Sequence, residues 1–487
     1  MWTAVARRSP WPIAILMLLV AIALRCHDFG NPIVHVDEQY YLLVGDRMLH
    51  GAWPYLDIWD RKPVGLFALY AAMRLLPGDG ILAYQLVATL FAAATAFVIV
   101  CGAERLGAAR GPAVAAGVAY LLWLPLLSGR AGQSPVFYNL FVAGAALLTL
   151  NLPRWAQEGR RGTILASGAA ACLLAGLAIQ TKYTPIVEGA WLGVAHLYYA
   201  RRGGVSWSML SLAATAWIVP ALAPTLAVMA IYAARGAAAF DAFWFANFAS
   251  VALRRGYPAA KIAGRLAGTW AQLAPFVIAA IAVWRTRPRS PEIRLAFGWL
   301  AAALVAYAMI GAFFDHYALP LLPPLAVIAA GALGRRRWAM PAFFAGGIVM
   351  FVIKVLLPAD DGTGARAVAR IVAANSGRAC PYVFAGDSIT YYLSNTCLPT
   401  SRAFPSTLAY EPERGASGID ETAEVRRILA QRPPVIVTLD EPLAEWNRST
   451  LSLVEEALAR DYRLIFRTAR GGGHSLVYLR RDLSVRT

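Results

Sequence analysis

Charge is scarce in this chain. Of 487 residues, 15% are Asp, Glu, Lys or Arg and 59% are hydrophobic, and mean hydropathy is +0.52. Soluble domains carry about a quarter charged residues, so the balance excludes an ordinary soluble enzyme and indicates a polytopic membrane protein. Lysine is scarcer still: Lys62, Lys182, Lys261 and Lys354 are the only ones, and the other basic residues are Arg. Cysteine occurs five times, with no CxxC, HExxH or Cys/His cluster, so no metal or cofactor is indicated, although a divalent cation stays possible. The net charge is +17. No nucleic-acid module accompanies it, and Arg-rich cytoplasmic loops of a membrane protein account for it, so nucleic acid is not an expected partner. There is no phosphate-loop pattern; Gly471-Gly472-Gly473 reads as a turn between two late strands.

What the chain does have is long apolar runs. Stretches near 20 residues predict about 11 membrane spans, at 11–27, 80–101, 111–128, 134–152, 163–181, 184–200, 207–233, 269–285, 294–312, 316–334 and 338–357. Arg7 and Arg8 ahead of the first run resemble a signal peptide. No convincing small-x-small cleavage site precedes His27, so the run reads as an uncleaved first helix. With a cytoplasmic N-terminus, the inner loops carry Arg105/Arg110, Arg154/Arg160/Arg161, Arg201/Arg202, Arg285/Arg287/Arg289/Arg294 and Arg335/Arg336/Arg337. The turns near Gly129 and Asp315 are short and poor in Arg. That alternation predicts a bacterial inner-membrane protein with its C-terminus in the periplasm.

The expected organisation is therefore a transmembrane domain over 1–358 and a periplasmic, soluble α/β domain over 359–487. Two long outer loops interrupt the first, at 28–79 and 234–268. The aromatic cluster of the second, followed by Arg254 and Arg255, suits a helix lying in the membrane interface; the plain alternative is a surface-bound helix with no chemistry. In the C-terminal region "PYVFAGDS", "PPVIVTLD", "RLIFRTA" and "HSLVYLRR" read as strands. "ARAVARIVAANSG", "ETAEVRRILAQR" and "TLSLVEEALARDY" read as helices. Cys380 and Cys397 fall in this region, where an oxidising periplasm permits a disulfide; two reduced buried thiols are the alternative.

The stretch "HVDEQYYLLVGDRMLHGAWPYLDIWDRKPVG" concentrates ionisable groups beside the first span: Asp37, Glu38, Asp46, Asp57 and Asp60, with Lys62 before Pro63. A solvated loop is the ordinary explanation. Its tyrosines, tryptophans and prolines suggest a packed loop instead, and its one Lys stands in a chain that otherwise uses Arg. One carboxylate and one ammonium at a membrane surface suit a particular reaction, transfer of a sugar held on a polyprenyl phosphate. The leaving group is already a phosphate and needs cationic stabilisation, not a general acid. The acceptor hydroxyl needs a base. A paired-carboxylate hydrolase would need a second acid.

These residues resemble the first outer loop of the GT-C membrane glycosyltransferases. The similarity is to the bacterial branch related to protein O-mannosyltransferases, the lipid A aminoarabinose transferase and the rhizobial galacturonosyltransferases. The shared pattern is an Asp-Glu pair, a following Tyr, a Gly-x-x-Pro-Tyr turn and a Lys-Pro motif. "ERLGAARGPAVAAGVAYLL", "GLAIQTKYTPIVEG", "DHYALPLLPPLAVIAAGAL" and "YYLSNTCLPTSRAFPSTL" extend the resemblance over most of the chain. It implies that Asp37 is the catalytic carboxylate, that Glu38 shapes the site, and that Lys62 binds the lipid phosphate. It places Tyr40, Tyr41, Tyr55 and Asp60 about the substrate pocket. Two departures stand out: Tyr40 occupies the position where the aminoarabinose transferase has an Arg, which argues against that exact activity, and "KPVG" replaces the more usual Lys-Pro-Pro.

Further phosphate-binding candidates are Lys182, Arg254 and Arg255, and His316 and Tyr317 are pocket candidates. Each has an ordinary alternative, as a snorkelling Lys, a lipid-headgroup contact or an interfacial His-Tyr pair. Gln133 and Tyr138 lie near another outer turn. The expected activity is inverting glycosyl transfer at the periplasmic face, from a polyprenyl-phosphate sugar to lipid A, lipopolysaccharide core, another glycan or a protein. A lipid-linked substrate transporter or flippase, or a non-catalytic envelope assembly protein, are the alternatives. A transporter should hold ionisable groups within its spans. Here the spans are nearly charge-free, with Glu188 the main exception.

Overall fold

A computed structural model of the chain describes residues 9–286, 290–357 and 360–486. Arg7, Arg8, Arg287, Arg289 and the boundary at Ala359 lie outside the described residues. Eight described helical stretches are long and apolar enough to cross a membrane: Trp11–Asp28, Ile81–Arg105, Ser134–Gln157, Arg161–Ile179, Trp207–Ala234, Ala259–Arg285, Asp315–Leu333 and Ala339–Leu356. The other three expected spans are helices too, Arg110–Leu126, Ile186–Arg202 and Pro291–Ala308, of 17, 17 and 18 residues. Those lengths lie at the lower edge of what spans a bilayer. The span expected at 269–285 begins ten residues earlier, at Ala259. Its first turns, "AAKIAGRLAG", contain polar and small residues that lower hydropathy without breaking a helix. The span expected at 316–334 starts as a 3₁₀ segment, Asp315–Leu321, because Pro320, Pro323 and Pro324 remove donors in succession.

The chain divides into two compact units. The first comprises residues up to Phe29, Gln85–Thr225 and Ile262–Pro358, the bulk of the apolar helices. Its buried polar side chains close on one another. Arg25 donates to the carbonyls of Gly129 at 3.0 Å and Ala131 at 2.6 Å. Asp28 pairs with Arg130. Trp299 donates its indole N–H to Glu188 at 2.8 Å.

The second unit comprises Gly30–Tyr84, Leu226–Lys261 and Ala359–Thr487. Residues 30–79 of the first outer loop and 234–261 of the second thus group with the C-terminal residues. The segment expected as a loop at 28–79 holds two helices, Val36–Leu49 and Val64–Arg74. They pass so closely that a Cβ on Gly45 would lie 2.7 Å from the backbone nitrogen of Ala71. Only glycine permits that approach. The residues expected at 234–268 fold as Ala237–Trp244, a π turn at Phe245–Ala249 and a short continuation, Ser250–Ala252. Ala239, Phe243, Ala246, Asn247 and Ser250 are buried, while Trp244, Phe248 and Val251 are exposed. The exposed side chains among these are apolar.

The C-terminal residues build a four-stranded mixed sheet from β1 (Tyr382–Val383), β2 (Val435–Leu439), β3 (Tyr462–Arg470) and β4 (Gly473–Arg480), in the order β1-β2-β4-β3. β1 runs parallel to β2, and the other pairs are antiparallel. Helices Thr363–Ser376, Glu421–Ala430 and Arg448–Asp461 accompany it. Tyr382, Phe384, Leu408, Val425, Ile436 and Val454 form its core. In the expected first strand Pro381 and "FAGDS" are not strand; only Tyr382–Val383 pair. Cys380 and Cys397 are joined by a disulfide.

Candidate active site

The site is built at the start of helix Val36–Leu49. His35 caps it: Nδ1 accepts from the Asp37 amide at 3.2 Å. Asp37 and Glu38 then fall in the first turn, where the helix dipole favours negative charge. Glu38 is fully buried and Asp37 half-buried. Tyr41 lies one turn beyond Asp37, and the Lys62 ammonium sits 5.5 Å from its ring centroid. Asp37 and Glu38 also approach Tyr70 on the neighbouring helix: burial pushes its phenol well above the usual range, and the two carboxylates add to the rise.

Asp60 joins this group. Burial raises its carboxyl, the Lys62 ammonium and the Arg61 amide oppose the rise, and Asp37 reinforces it. Asp60 thus lies within the fields of both Lys62 and Asp37. Tyr40 is buried, donates to the Trp59 carbonyl at 2.9 Å and packs its ring on Phe404. Burial, and then Asp60, raise its phenol as well. Tyr40 is therefore a structural strut for residue 59, in the place where the resembled transferase has an Arg. Tyr55 holds φ +70°, a left-handed conformation uncommon outside glycine. Its hydroxyl donates to the Lys62 carbonyl at 2.6 Å.

Arg254 and Arg255 are engaged by carboxylates. Arg254 pairs with Glu413 at 2.6 Å and Arg255 with Glu411 at 2.5 Å. Neither guanidinium is presented as a bare phosphate ligand; the expectation overlooked acidic partners more than 150 residues further along the chain. The remaining candidates belong to the first unit. The Lys182 ammonium lies 4.3 Å from the Tyr317 ring centroid, and His316 packs its ring at 4.4 Å from the same tyrosine. The structure thus gathers Asp37, Glu38, Tyr40, Tyr41, Tyr55, Asp60 and Lys62 in one unit and Lys182, His316 and Tyr317 in the other.

Two networks escaped the sequence reading. Lys354 donates to Asp315 at 3.1 Å, to Gln272 at 3.0 Å and to the Leu126 carbonyl. Asp315 also accepts from Ser128 at 2.9 Å. The rarity of lysine marked Lys354, but nothing marked its partners. In the second unit, Gln39 donates to Asp387 at 2.8 Å, and Asp387 also receives Arg470 at 2.7 and 2.8 Å. This ties the site helix to the C-terminal residues. Among the described residues no group of three His, Cys, Asp or Glu is placed to hold a metal.

No family model matches the chain, and no curated protein sequence matches it. Solved structures do. ArnT from Cupriavidus metallidurans bound to undecaprenyl phosphate is similar over 98% of this chain and 98% of its own, at 17% identity and TM-score 0.65. The oligosaccharyltransferase of Archaeoglobus fulgidus in its apo form is similar over 97% of this chain and 81% of its own, at 10% identity and TM-score 0.55. Archaeal AglB from the same organism, in complex with an inhibitory peptide and a dolichol-phosphate, is similar over 98% and 75%, at 11% identity and TM-score 0.50. The chain therefore has the GT-C fold, that of a multi-pass helical membrane protein.

Proposed function

We propose that this chain is an inverting glycosyltransferase. It moves a sugar from a polyprenyl-phosphate donor to an envelope acceptor at the periplasmic face of a bacterial inner membrane. The observation that carries the reading is the grouping of Asp37, Asp60 and Lys62 around the capped start of one helix. The GT-C fold supports it, and so do the lipid phosphates bound to the similar ArnT and AglB structures.

Asp37 takes the proton of the acceptor hydroxyl as its oxygen attacks the anomeric carbon. The bond from that carbon to the phosphate oxygen breaks on the opposite face. Its electron pair leaves on the polyprenyl phosphate, and the Lys62 ammonium offsets the growing charge. The products are a glycoside of inverted configuration and free polyprenyl phosphate. Glu38 shapes the start of the helix. In purified protein, Asp37→Asn should stay folded and lose transfer by about 10²–10⁴-fold, the range of a general base; full activity would remove Asp37 from this role.

Transport of a lipid-linked substrate has one observation in its favour, the carboxylate of Glu188 buried within helix Ile186–Arg202. Trp299 hydrogen-bonds that carboxylate, which fits a structural pair better than an open ion site. Flipping of polyprenyl-phosphate sugar across proteoliposomes, lost in Glu188→Gln, would reverse this preference. A purely structural assembly role predicts no transfer at all.

A further inference from the structure

The arginine beside Lys62 has no part in the chemistry just described, yet it is among the most firmly held side chains of its segment. Arg61 donates to Glu413 at 2.5 Å, to the Ala416 carbonyl at 2.9 Å and to Ser250 at 3.2 Å. It also lies 4.7 Å from the Trp59 ring centroid. Glu413 is 9% exposed and receives Arg254 through its other oxygen, at 2.6 Å. One carboxylate thus holds two guanidiniums, one from the first outer segment and one from the second. Ser250 belongs to that second segment as well, so Arg61 reaches both it and the C-terminal residues.

The backbone around Arg61 is pinned on either side. The Trp59 amide donates to the Ser401 carbonyl at 2.8 Å, and its own carbonyl accepts from Tyr40. The Asp60 carboxylate accepts from the Arg61 amide at 2.6 Å. The Lys62 carbonyl accepts from Tyr55, whose hydroxyl also meets Asn247 at 3.3 Å. Every residue from 59 to 62 is therefore fixed by a hydrogen bond of its backbone or side chain. Most of the anchors come from residues 246–254 and 401–416 or from tyrosines of the first segment. The Lys62 side chain is carried on this fixed strip.

We propose that Glu413 is a positioning residue: with Arg61 and Arg254 it forms a clamp that sets the Lys62 ammonium for the phosphate of the donor lipid. This rests on the reading of Lys62 as the phosphate ligand. It gives the C-terminal residues a role in donor binding. It also gives Arg254 a role through its ion pair with Glu413. The triad is sparingly exposed, and removing one member of such an ion group leaves the others uncompensated. Glu413→Gln leaves two guanidiniums facing each other without a counter-charge, whereas Glu413→Asp keeps the charge on a shorter arm.

The test measures binding of undecaprenyl phosphate to the full-length protein in nanodiscs, together with kcat and KM for a polyprenyl-phosphate sugar. Backbone hydrogen exchange over residues 59–62 is followed in parallel. For Glu413→Gln we expect Kd and KM to rise about tenfold or more, kcat to fall as well because Lys62 also offsets the growing phosphate charge, and exchange at 59–62 to accelerate. Glu413→Asp should recover most of the affinity. Asp37→Asn should differ from it, with kcat lost and Kd kept. Wild-type affinity in Glu413→Gln, or a loss of kcat with unchanged Kd, overturns the clamp. Failure of the wild-type protein to bind undecaprenyl phosphate overturns the reading of Lys62 itself. The exchange data would still report whether Glu413 orders the strip.

Discussion

The two units share paired carboxylates, Glu413 and Asp387 in the second being held by arginines, but among the described residues only the second also sets a carboxylate against another. In the first, three carboxylates are closed by complementary partners: Glu188 by Trp299, Asp28 by Arg130, Asp315 by Lys354. A charge placed in an apolar setting costs several kcal/mol unless it is paired, and these pairs meet that demand locally. In the second unit, carboxylates are brought toward one another. Burial and the nearby Asp37 raise the cost of ionising Asp60, and Lys62 partly relieves it. Like charges gathered at the capped end of a helix serve no packing purpose that the fold could not meet with apolar residues. Perturbed groups of this kind concentrate where chemistry occurs. The comparison separates residues that complete a structure from residues that a structure is organised to hold.

Substitutions can break that comparison. The largest effect is expected at Lys62: Lys62→Met should reduce kcat/KM by about 10²–10³-fold, the range for losing one electrostatic donor to a developing charge. A radiolabelled transfer assay checks it. Lys354→Met should instead leave the chemistry step alone and lower stability by roughly 3–5 kcal/mol or less, the cost of orphaning a buried pair reduced by the partial exposure of both side chains. Thermal unfolding in detergent separates the two behaviours. If Lys354→Met abolished transfer in a fully folded protein, the first unit would hold catalytic charge too.

Replacing both Cys380 and Cys397 with Ser opens a covalent link spanning 17 residues. The expected loss is about 3 kcal/mol for a closed loop of that size, read by denaturant unfolding of the whole chain. The same loss should appear in wild-type protein treated with reductant. A smaller effect tests Asp60. Burial, the leading cause, raises its carboxyl in the folded protein. A raised carboxyl contributes stability that is complete below the unfolded value, about 4. That contribution is lost as pH rises through the folded value. Asp60→Asn should therefore raise the melting temperature slightly at pH 7, and the difference should vanish near pH 3. Destabilisation of Asp60→Asn at neutral pH would mean that its bond to the Arg61 amide outweighs its burial.

Much of this arrangement is legible in the amino-acid order, for identifiable reasons. A bilayer demands apolar runs of a set length, so each expected span coincides with a helix. Alternation and helical periodicity marked the sheet and helices after residue 360 because those elements bury one face each. Helices Val36–Leu49 and Val64–Arg74 went unread because the charges of the first segment drew attention away from its helix-forming residues. The packing of these helices depends on Gly45, whose role appears only when its neighbour is in place. Asp37 and Lys62 stood out through residue type and local motif. The clamp on Arg61 could not, since Glu413 lies 352 residues away and neither residue is unusual in its own surroundings.

The account stands most directly on a reaction of the wild-type protein. Purified chain in proteoliposomes, given a polyprenyl-phosphate sugar and extracted envelope acceptor, should release one polyprenyl phosphate for each sugar transferred. The new glycosidic bond should be opposite in anomeric configuration to the donor. A product of retained configuration, or a donor pool that stays intact while the protein is folded and binds it, would contradict the mechanism.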